Sequence, residues 1–230
     1  MIPIYVAIPS ADGKIDIGLA RWLLANKYSE ECQFSVVDFS QLKPLESNMK
    51  FIFTKFLESG EPYLLWIDND ITPYDGFLDK AVDSGADIYG GRVLFWQPQF
   101  EGPMVCAAIK AGEKYIYVPM VTSHKTTMLV DFVGFGCVLI KREVIQKLMP
   151  LNGVFEKEYW PTGHVKKGLD VLFCERAKMA GFQIVLDDGE LMDQTVTMGL
   201  KHVAEKFSNI IYKTIKKTSG EHERKDPYMG

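Results

Sequence analysis

Apolar runs alternate with helical patterns in the N-terminal third of the chain. Short apolar runs at 2–8, 34–38 and 63–67 predict three buried β-strands. Between these runs, apolar residues recur at helical spacing over 17–27 and again over 49–56. The order strand, helix, strand, helix, strand predicts a parallel sheet covered by helices on both faces. The predicted fold class is therefore α/β.

A further helix is predicted after the third strand, with Thr72 as its N-cap and Pro73 at its first position. Because strand crossovers are right-handed, the carboxyl ends of the first three strands share one edge of the sheet. Ligands bind at this edge in open α/β sheets. We therefore expect Ser10, Asp38 and residues 68–70 to meet there.

The remaining two thirds of the chain have less regular patterns. The elements they predict are a strand at 87–93, a hairpin of 105–109 with 115–118, strand-like runs over 128–140, helices at 142–148 and 168–180, a strand at 183–186, and an amphipathic helix around 207–214.

Composition narrows the class of protein. The chain has 230 residues, of which 47% are apolar, and a net charge of -4, which argues against a bulk nucleic-acid binder. The sequence shows neither a signal peptide nor a run of about 20 apolar residues, so a cytoplasmic location is expected. The four cysteines lack zinc or disulfide spacing and are expected to be buried thiols: Cys32, Cys106, Cys137 and Cys174.

The strongest chemical signal is Asp68-Asn69-Asp70, which directly follows the third apolar strand. Two carboxylates held at a strand end can bind a hard divalent cation, because such ions prefer oxygen ligands. A diphosphate would add further oxygens. The alternative is a turn in which the Asp and Asn side chains bond to their own backbone.

Three weaker signals follow along the chain. The glycines of Gly134-Phe135-Gly136 allow a backbone to approach a ligand closely, or else form a bulge or tight bend. Asp170 opens a predicted helix, where an acid is either a cap or a proton acceptor. His202 is a candidate metal ligand. The other histidines are equal candidates on composition alone: His124, His164 and His222.

Taken in order, these segments resemble GT-A glycosyltransferases, especially the small family-two-like enzymes of bacteria and phages. The resemblance rests on the apolar strand and acids of 64–70, the glycine-rich strand and arginine of 134–142, and the helix of 169–182. His202 completes the pattern, which spans about residues 3–203. Leu169 departs from it, because an acid is common at that position.

The resemblance implies a GT-A fold, with a mostly parallel central sheet flanked by helices. Residues 1–203 would form a single domain, with a nucleotide-binding half at 1–70 and an acceptor-side half at 71–203. Residues 204–230 would form a C-terminal helix and tail.

The implied activity is metal-dependent transfer of a sugar from a UDP- or GDP-linked donor to a glycan, a protein or a modified nucleic acid. Asp70 and His202 would bind Mn²⁺ or Mg²⁺ with the donor diphosphate. Asp170 would be the base of an inverting reaction. The implied donor-binding residues are Pro9, Ser10, Asp38, Asp68, Asn69 and Asp70. The implied acceptor loop is Gly134, Phe135 and Gly136.

Two other functions fit part of the sequence. Residues 68–72 also match the DxDxT motif of haloacid-dehalogenase-like phosphatases, in which Asp68 is the nucleophile and Asp70 an acid/base. Asp187 and Asp188, with Asp193 beyond them, resemble their late acidic metal motif. That family usually carries DxDxT on its first strand, whereas two strand–helix units precede it here. A catalytically inactive nucleotide-sugar-binding module is the second alternative. Such a module would tolerate loss of Asp170 or His202, but this sequence retains both residues.

Overall fold

The computed structural model describes residues 1–29, 31–95, 104–119, 127–151 and 155–195. Residues 1–195 form one compact unit. The helix predicted around 207–214 lies outside the described residues, as do His124, His202 and His222.

Helices and strands alternate along most of the described chain. The helices are α1 (Ile17–Ala25), α2 (Leu45–Ser59), α3 (Phe77–Asp83), α4 (Arg142–Leu148) and α5 (Leu169–Met179). The strands are β1 (Ile2–Pro9), β2 (Cys32–Ser40), β3 (Tyr63–Ile67), β4 (Ile71–Thr72), β5 (Ile88–Arg92), β6 (Leu94–Phe95), β7 (Met104–Val105), β8 (Ala107–Ala111), β9 (Lys114–Tyr117), β10 (Thr127–Leu129), β11 (Phe132–Val133), β12 (Cys137–Lys141), β13 (Glu158–Tyr159), β14 (Val165–Lys167), β15 (Ile184–Leu191) and β16 (Asp193–Gln194).

A large central sheet has the strand order β10-β15-β5-β12-β3-β1-β2. β1 runs parallel to β2 and β3, and β15 runs parallel to β5. β12 is antiparallel to both of its neighbours, and β10 is antiparallel to β15. The sheet is therefore mixed, although the α/β class is confirmed. β12 is antiparallel to β5 because it starts at the edge of the sheet where β5 ends, so the two strands are joined without a crossover.

The sheet separates two apolar layers. Along β1, Tyr5 and Ala7 face the layer that contains buried residues of α2, α4 and α5. Val6 and Ile8 face the opposite layer, which contains buried residues of α1 and α3. This alternation follows from the two-residue period of a strand, and burial of both faces explains why the strands read as continuous apolar runs.

The predicted start of α3 is wrong. Thr72 lies in β4, where it pairs with Asp193 of β16, and the helix begins at Phe77 after Gly76, whose φ is 84°. Thr72 and Pro73 are a good local signal for a helix start, but pairing with a strand more than a hundred residues away fixes this backbone as extended. The glycine supplies the left-handed conformation that turns the chain into the helix.

The other predicted elements within the described residues are present, whereas the short strands β6, β7, β13, β14 and β16 are not predicted by the sequence patterns. The predicted hairpin is formed by β8 and β9, and Gly112 adopts a positive φ of 64° in its turn. Asp16 caps α1 by accepting the N–H of Gly18 at 2.6 Å, and α1 ends at Ala25, two residues before the predicted end. Of the helices in the described part of the chain, none is long and apolar enough to cross a membrane.

Candidate functional site

The Asp68-Asn69-Asp70 segment forms a tight turn at the carboxyl end of β3. The carbonyl of Asp68 accepts the N–H of Ile71 at 3.1 Å, and the N–H of Asp68 donates to the carbonyl of Gly136 at 2.8 Å. The Asp68 side chain does not close this turn, because its Oδ1 accepts the indole N–H of Trp66 at 3.1 Å. The segment is thus a turn in its backbone, while the Asp68 carboxylate bonds to a strand side chain.

Asp68 lies among other acids. Burial raises its pKa to about 7, the bond from Trp66 opposes this rise, and the charges of Asp70 and Asp170 add to it. These acids come from the end of β3 and from the start of α5, a hundred residues later. The fold therefore gathers three carboxylates at the carboxyl edge of the sheet.

The first predicted donor loop is tied to the acidic turn. The side-chain amide of Asn69 donates to Ser10 Oγ at 3.3 Å and to the Lys14 carbonyl at 2.8 Å. The Asn69 carbonyl accepts the N–H of Asp16 at 2.8 Å. Ser10 is itself buried, and its hydroxyl donates to the Lys14 carbonyl at 2.7 Å. The predicted meeting of Ser10 with residues 68–70 is confirmed, and Pro9 ends β1 immediately before it.

Asp70 is held by a segment that the sequence patterns do not predict. Its Oδ2 accepts the side-chain amide of Gln194 at 3.3 Å, and its carbonyl accepts the N–H of Thr195 at 2.9 Å. The Thr195 hydroxyl also donates to Asp16 Oδ2 at 2.9 Å. Because β16 pairs with β4, these late residues reach the acidic turn. A two-residue strand has no periodicity to read, so this contact carries no sequence signal.

Asp38 has a buried partner. The hydroxyl of Tyr5 donates to Asp38 Oδ2 at 2.8 Å. Asp38 is opposite Ala7 in the parallel register of β1 and β2, close to the carboxyl ends of both strands. Asp38 does not end its strand as predicted, because β2 runs on to Ser40, and the described contacts join it to Tyr5 rather than to Ser10 or Asn69. The sequence pattern indicates only that Tyr5 is part of an apolar strand.

Asp170 lies in the first turn of α5, as predicted. Its Oδ1 accepts the N–H of Val171 at 2.9 Å, and Gly168 occupies the N-cap position without a side-chain bond. Burial nevertheless raises the pKa of Asp170, and the helix N–H groups only oppose this rise. The helix start favours the ionised form of Asp170, but burial favours the neutral form more strongly. A carboxyl with a raised pKa is a stronger base when ionised.

Cys106 lies near both Asp68 and Asp170. Burial raises the pKa of its thiol to about 12, and the charges of Asp170 and Asp68 contribute to this rise. The thiol is therefore neutral at physiological pH, and the effect of both charges indicates that both acids are near it. All four cysteines are free, and Cys106 is the one that is not fully buried.

Phe135 belongs to the core rather than to an open loop. Its ring makes edge contacts with Trp66 and Phe173, with centroid separations of 5.7 and 5.2 Å, and it is buried. Trp66 in turn donates to Asp68. Phe135 therefore supports the residue that bonds to the first acid, and an acceptor-contacting role for it stays a prediction.

The glycines on either side of Phe135 have packing reasons. A Cβ on Gly134 would collide with the side chain of Cys106, and a Cβ on Gly136 would lie 3.0 Å from Val93. Neither glycine has a positive φ. Glycine is therefore required at both positions because the neighbouring side chains approach closely, not because the backbone conformation is unusual. The Gly136 carbonyl also accepts the N–H of Asp68.

Asp187 is occupied by structural partners. It is fully buried, and its carboxylate accepts from the Lys80 ammonium at 2.6 Å, from the Gly189 N–H at 2.9 Å and from the Tyr74 hydroxyl. The neighbouring Asp188 pairs with Arg92 at 3.7 Å. These acids tie β15 to α3 and β5.

A complete metal-ligand set is not present within the described residues, where no three His, Cys, Asp or Glu side chains form such a group. Asp70 supplies one carboxylate. His202 lies outside the described residues, and His164 is exposed beyond the β13 strand. A cation at Asp70 would therefore need ligands from a bound molecule and from outside the described part of the chain.

Comparison with known proteins identifies a similar fold but no family. No family model matches the sequence, and no curated protein matches it. Among solved structures, the viral protein A197 from STIV is similar, with a TM-score of 0.52 and 19% identity over 86% of this chain and 97% of that chain. At this identity the likeness concerns the fold alone. The chain is therefore similar in fold to this viral protein, and its own fold is an α/β fold in which a large mixed sheet is flanked by helices.

Proposed function

We propose that the chain is a metal-dependent glycosyltransferase of the GT-A type, which transfers a sugar from a nucleoside diphosphate donor to an acceptor hydroxyl. The observation that carries this proposal is the gathering of Asp68, Asp70 and Asp170 at the carboxyl edge of the sheet. Such an edge is where α/β sheets bind nucleotides. Acids of this kind suit a reaction that needs both a cation site and a base.

The donor nucleotide is assigned to the ends of β1, β2 and β3. Ser10 and Asn69 hold the two loops there in a fixed arrangement through hydrogen bonds of 2.7 to 3.3 Å. Loops that are already fixed by such bonds lower the entropic cost of positioning a ligand. Asp38 lies at the same edge and presents an acceptor to the base of the nucleotide.

The acidic turn fits a hard divalent cation. Burial raises the pKa of Asp68 and the charge of Asp70 adds to this rise, so a bound cation would favour the ionised form of the Asp68 carboxyl. Carboxylate and phosphate oxygens are the ligands that Mn²⁺ and Mg²⁺ prefer. Asp70 would hold the cation, together with His202 and the donor diphosphate. When bound, the cation neutralises charge on the departing nucleoside diphosphate.

Asp170 is the proposed base. In an inverting reaction the acceptor oxygen bonds to the anomeric carbon as the bond from that carbon to the diphosphate breaks, through an oxocarbenium-like transition state. The hydroxyl proton passes to the Asp170 carboxylate. Burial raises the pKa of this carboxyl, which increases its affinity for the proton.

The phosphatase alternative is less well supported. It assigns its late acidic motif to residues 187–188, but the oxygens of Asp187 already accept from Lys80, Gly189 and Tyr74. Freeing them for a metal would leave the Lys80 ammonium without its partner at 2.6 Å. The burial of Asp187 makes that exchange costly.

The proposal is tested by a screen of nucleotide sugars. The full chain is incubated with UDP- and GDP-linked sugars, with Mn²⁺ or with a chelator, and release of UDP or GDP is measured together with thermal stabilisation. We expect stabilisation and slow donor hydrolysis only when Mn²⁺ is present. Equal results with the chelator would refute the role of the metal, and rapid hydrolysis of simple phosphate esters would favour the phosphatase.

A further inference from the structure

The bond between Tyr5 and Asp38 has a fixed direction. Tyr5 is only 3% exposed, and its ring packs edge-on against Phe56 at 5.8 Å between centroids. Burial and the neighbouring Asp38 carboxylate both raise the pKa of Tyr5. The hydroxyl therefore keeps its proton at neutral pH and donates it to Asp38 Oδ2 at 2.8 Å.

This bond also orients the Asp38 carboxylate. Tyr5 precedes Ala7 by two residues and lies on the same face of β1, and Ala7 is opposite Asp38 in the register. Tyr5 therefore lies further from the carboxyl edge than the residue opposite Asp38, and its hydroxyl holds Oδ2. Within the described residues, Asp38 Oδ1 accepts no hydrogen bond. One oxygen of the pair is therefore left for a ligand at the carboxyl edge.

The bases of the two proposed donors need different numbers of acceptors. Uracil presents one N–H between two carbonyl oxygens. Guanine presents two neighbouring donors, a ring N–H and an amino group. A carboxylate accepts one hydrogen bond from each when both of its oxygens face the base. A carboxylate that offers one outward oxygen matches the single donor of uracil, and it leaves one guanine donor without a partner.

We propose that Tyr5 is a specificity-determining residue, which holds Asp38 end-on and so selects a uracil nucleotide over a guanine nucleotide. This inference rests on the proposed function, because it takes the donor nucleotide to lie at this edge of the sheet. Tyr5 acts through Asp38 and does not itself contact the nucleotide, so it is a positioning residue.

A Tyr5→Phe variant separates this role from a structural one. Phenylalanine keeps the ring that packs on Phe56 but removes the hydroxyl, so both oxygens of Asp38 can turn toward the base. GDP then gains a partner for its second donor, and the ratio of UDP to GDP affinity should fall about tenfold. Tyr115→Phe is the matched control, because Tyr115 donates to the Glu175 carboxylate at the same distance of 2.8 Å, away from the donor loops.

The experiment is titration calorimetry of UDP and of GDP into the full chain with Mn²⁺. The wild type should bind UDP about tenfold more tightly than GDP or better, Tyr115→Phe should keep that preference, and Tyr5→Phe should largely lose it. Equal affinities in the wild type, or an unchanged ratio in Tyr5→Phe, would overturn the inference and leave the proposed function standing. If neither nucleotide binds, the proposed function fails and the inference fails with it.

Asp38→Ala keeps the proposal testable if Tyr5→Phe does not fold. Removing the carboxylate deletes the acceptor on which the selection depends, so the preference for UDP should disappear in this variant. Retention of the wild-type ratio in Asp38→Ala would overturn the inference.

Discussion

The N–H of Asp68 donates to the carbonyl of Gly136 at 2.8 Å, which joins the first acid of the turn to the residue just before β12. The pairing of Ile67 with Cys137 continues this bond as an antiparallel ladder. Two motifs that lie 68 residues apart in the sequence are therefore neighbours in the sheet. The acidic turn is held by its backbone, so its side chains are positioned before any ligand binds.

Asp70→Asn should abolish metal-dependent nucleotide binding. The substitution keeps the side chain's size and its contact with Gln194, but it replaces a charged oxygen ligand by a neutral amide. We expect UDP affinity in Mn²⁺ to fall to the level seen with chelator, measured by titration calorimetry. Asp83→Asn is the control, because Asp83 is an exposed residue at the end of α3. A metal effect that persists in Asp70→Asn would place the cation elsewhere.

Asp68→Asn should stabilise the metal-free protein at high pH. Burial raises the pKa of Asp68 to about 7, so the folded state holds this proton more tightly than the unfolded chain does. The wild type therefore loses stability as pH rises from the unfolded pKa of about 4 to the folded value, and the neutral amide does not. The gain above pH 7 should be on the order of 2 kcal/mol, allowing for partial exposure.

This prediction is checked by urea unfolding of both proteins in chelator between pH 4 and pH 8. The two stability curves should converge near pH 4 and diverge toward pH 8. Parallel curves would show that the pKa of Asp68 is not raised in the folded protein. Added Mn²⁺ should reduce the advantage of the variant, because a cation favours the ionised carboxylate.

Part of this arrangement is readable from the sequence. The apolar runs of β1 and β3 predict two buried parallel strands, whose carboxyl ends lie at the same edge of the sheet. The contact of Ser10 with the acidic turn follows from this arrangement. The partners of the acids do not follow. Trp66 reads as a core residue, and its indole N–H is directed to Asp68 by packing against Phe135. The hydrogen-bond partners of the acids depend on tertiary contacts, and these contacts produce no local pattern in the sequence.

The same limit explains the misplaced helix start and the hidden role of Gln194. Both depend on the short pairing of β4 with β16, in which residues 71–72 meet residues 193–194. Local propensity at Thr72 and Pro73 favours a helix cap, and the long-range ladder overrides it. A strand of two residues is too short to show an alternating pattern in either segment.

Gly136→Ala should destabilise the fold through one contact. The added Cβ would lie 3.0 Å from Val93, closer than ordinary van der Waals contact, so a buried neighbour must shift. We expect a loss of about 1–3 kcal/mol in the free energy of unfolding, measured with urea. Val93→Ala in the same chain should recover part of the loss, because it removes the opposing methyl groups. A double variant no better than the sum of the single changes would show that another contact is responsible.

Trp66→Phe should raise the pKa of Asp68 further. The indole N–H at 3.1 Å opposes the effect of burial on this carboxyl, and phenylalanine keeps most of the aromatic packing while removing that donor. If Mn²⁺ and nucleotide bind to the ionised turn, the pH at which UDP binding is half-maximal should rise by about one unit. Trp22→Phe is the control, since Trp22 donates to the Tyr74 carbonyl in the opposite layer. Identical pH profiles for Trp66→Phe and the wild type would contradict this role.

Asp170→Asn should separate chemistry from binding. The amide keeps the size of the side chain and can still accept the Val171 N–H at 2.9 Å, but it cannot take a proton from the acceptor. Loss of a positioned base typically lowers the rate by about 10²–10⁴. We expect kcat for sugar transfer to fall in this range, while the affinities for UDP and Mn²⁺ stay close to those of the wild type.

Asp131 provides the comparison for this base, because it is the next carboxylate that we would test for the role. Its oxygens accept from the Lys110 N–H at 2.5 Å and from the Lys178 ammonium. Although burial acts in the opposite direction, these bonds lower the pKa of Asp131, whereas burial raises that of Asp170. A carboxylate already paired with a lysine is the weaker proton acceptor, so Asp131→Asn should leave kcat within a few-fold of the wild type. If Asp131→Asn lowers kcat and Asp170→Asn does not, the base lies on the hairpin side of α5 and Asp170 is only a helix-start residue.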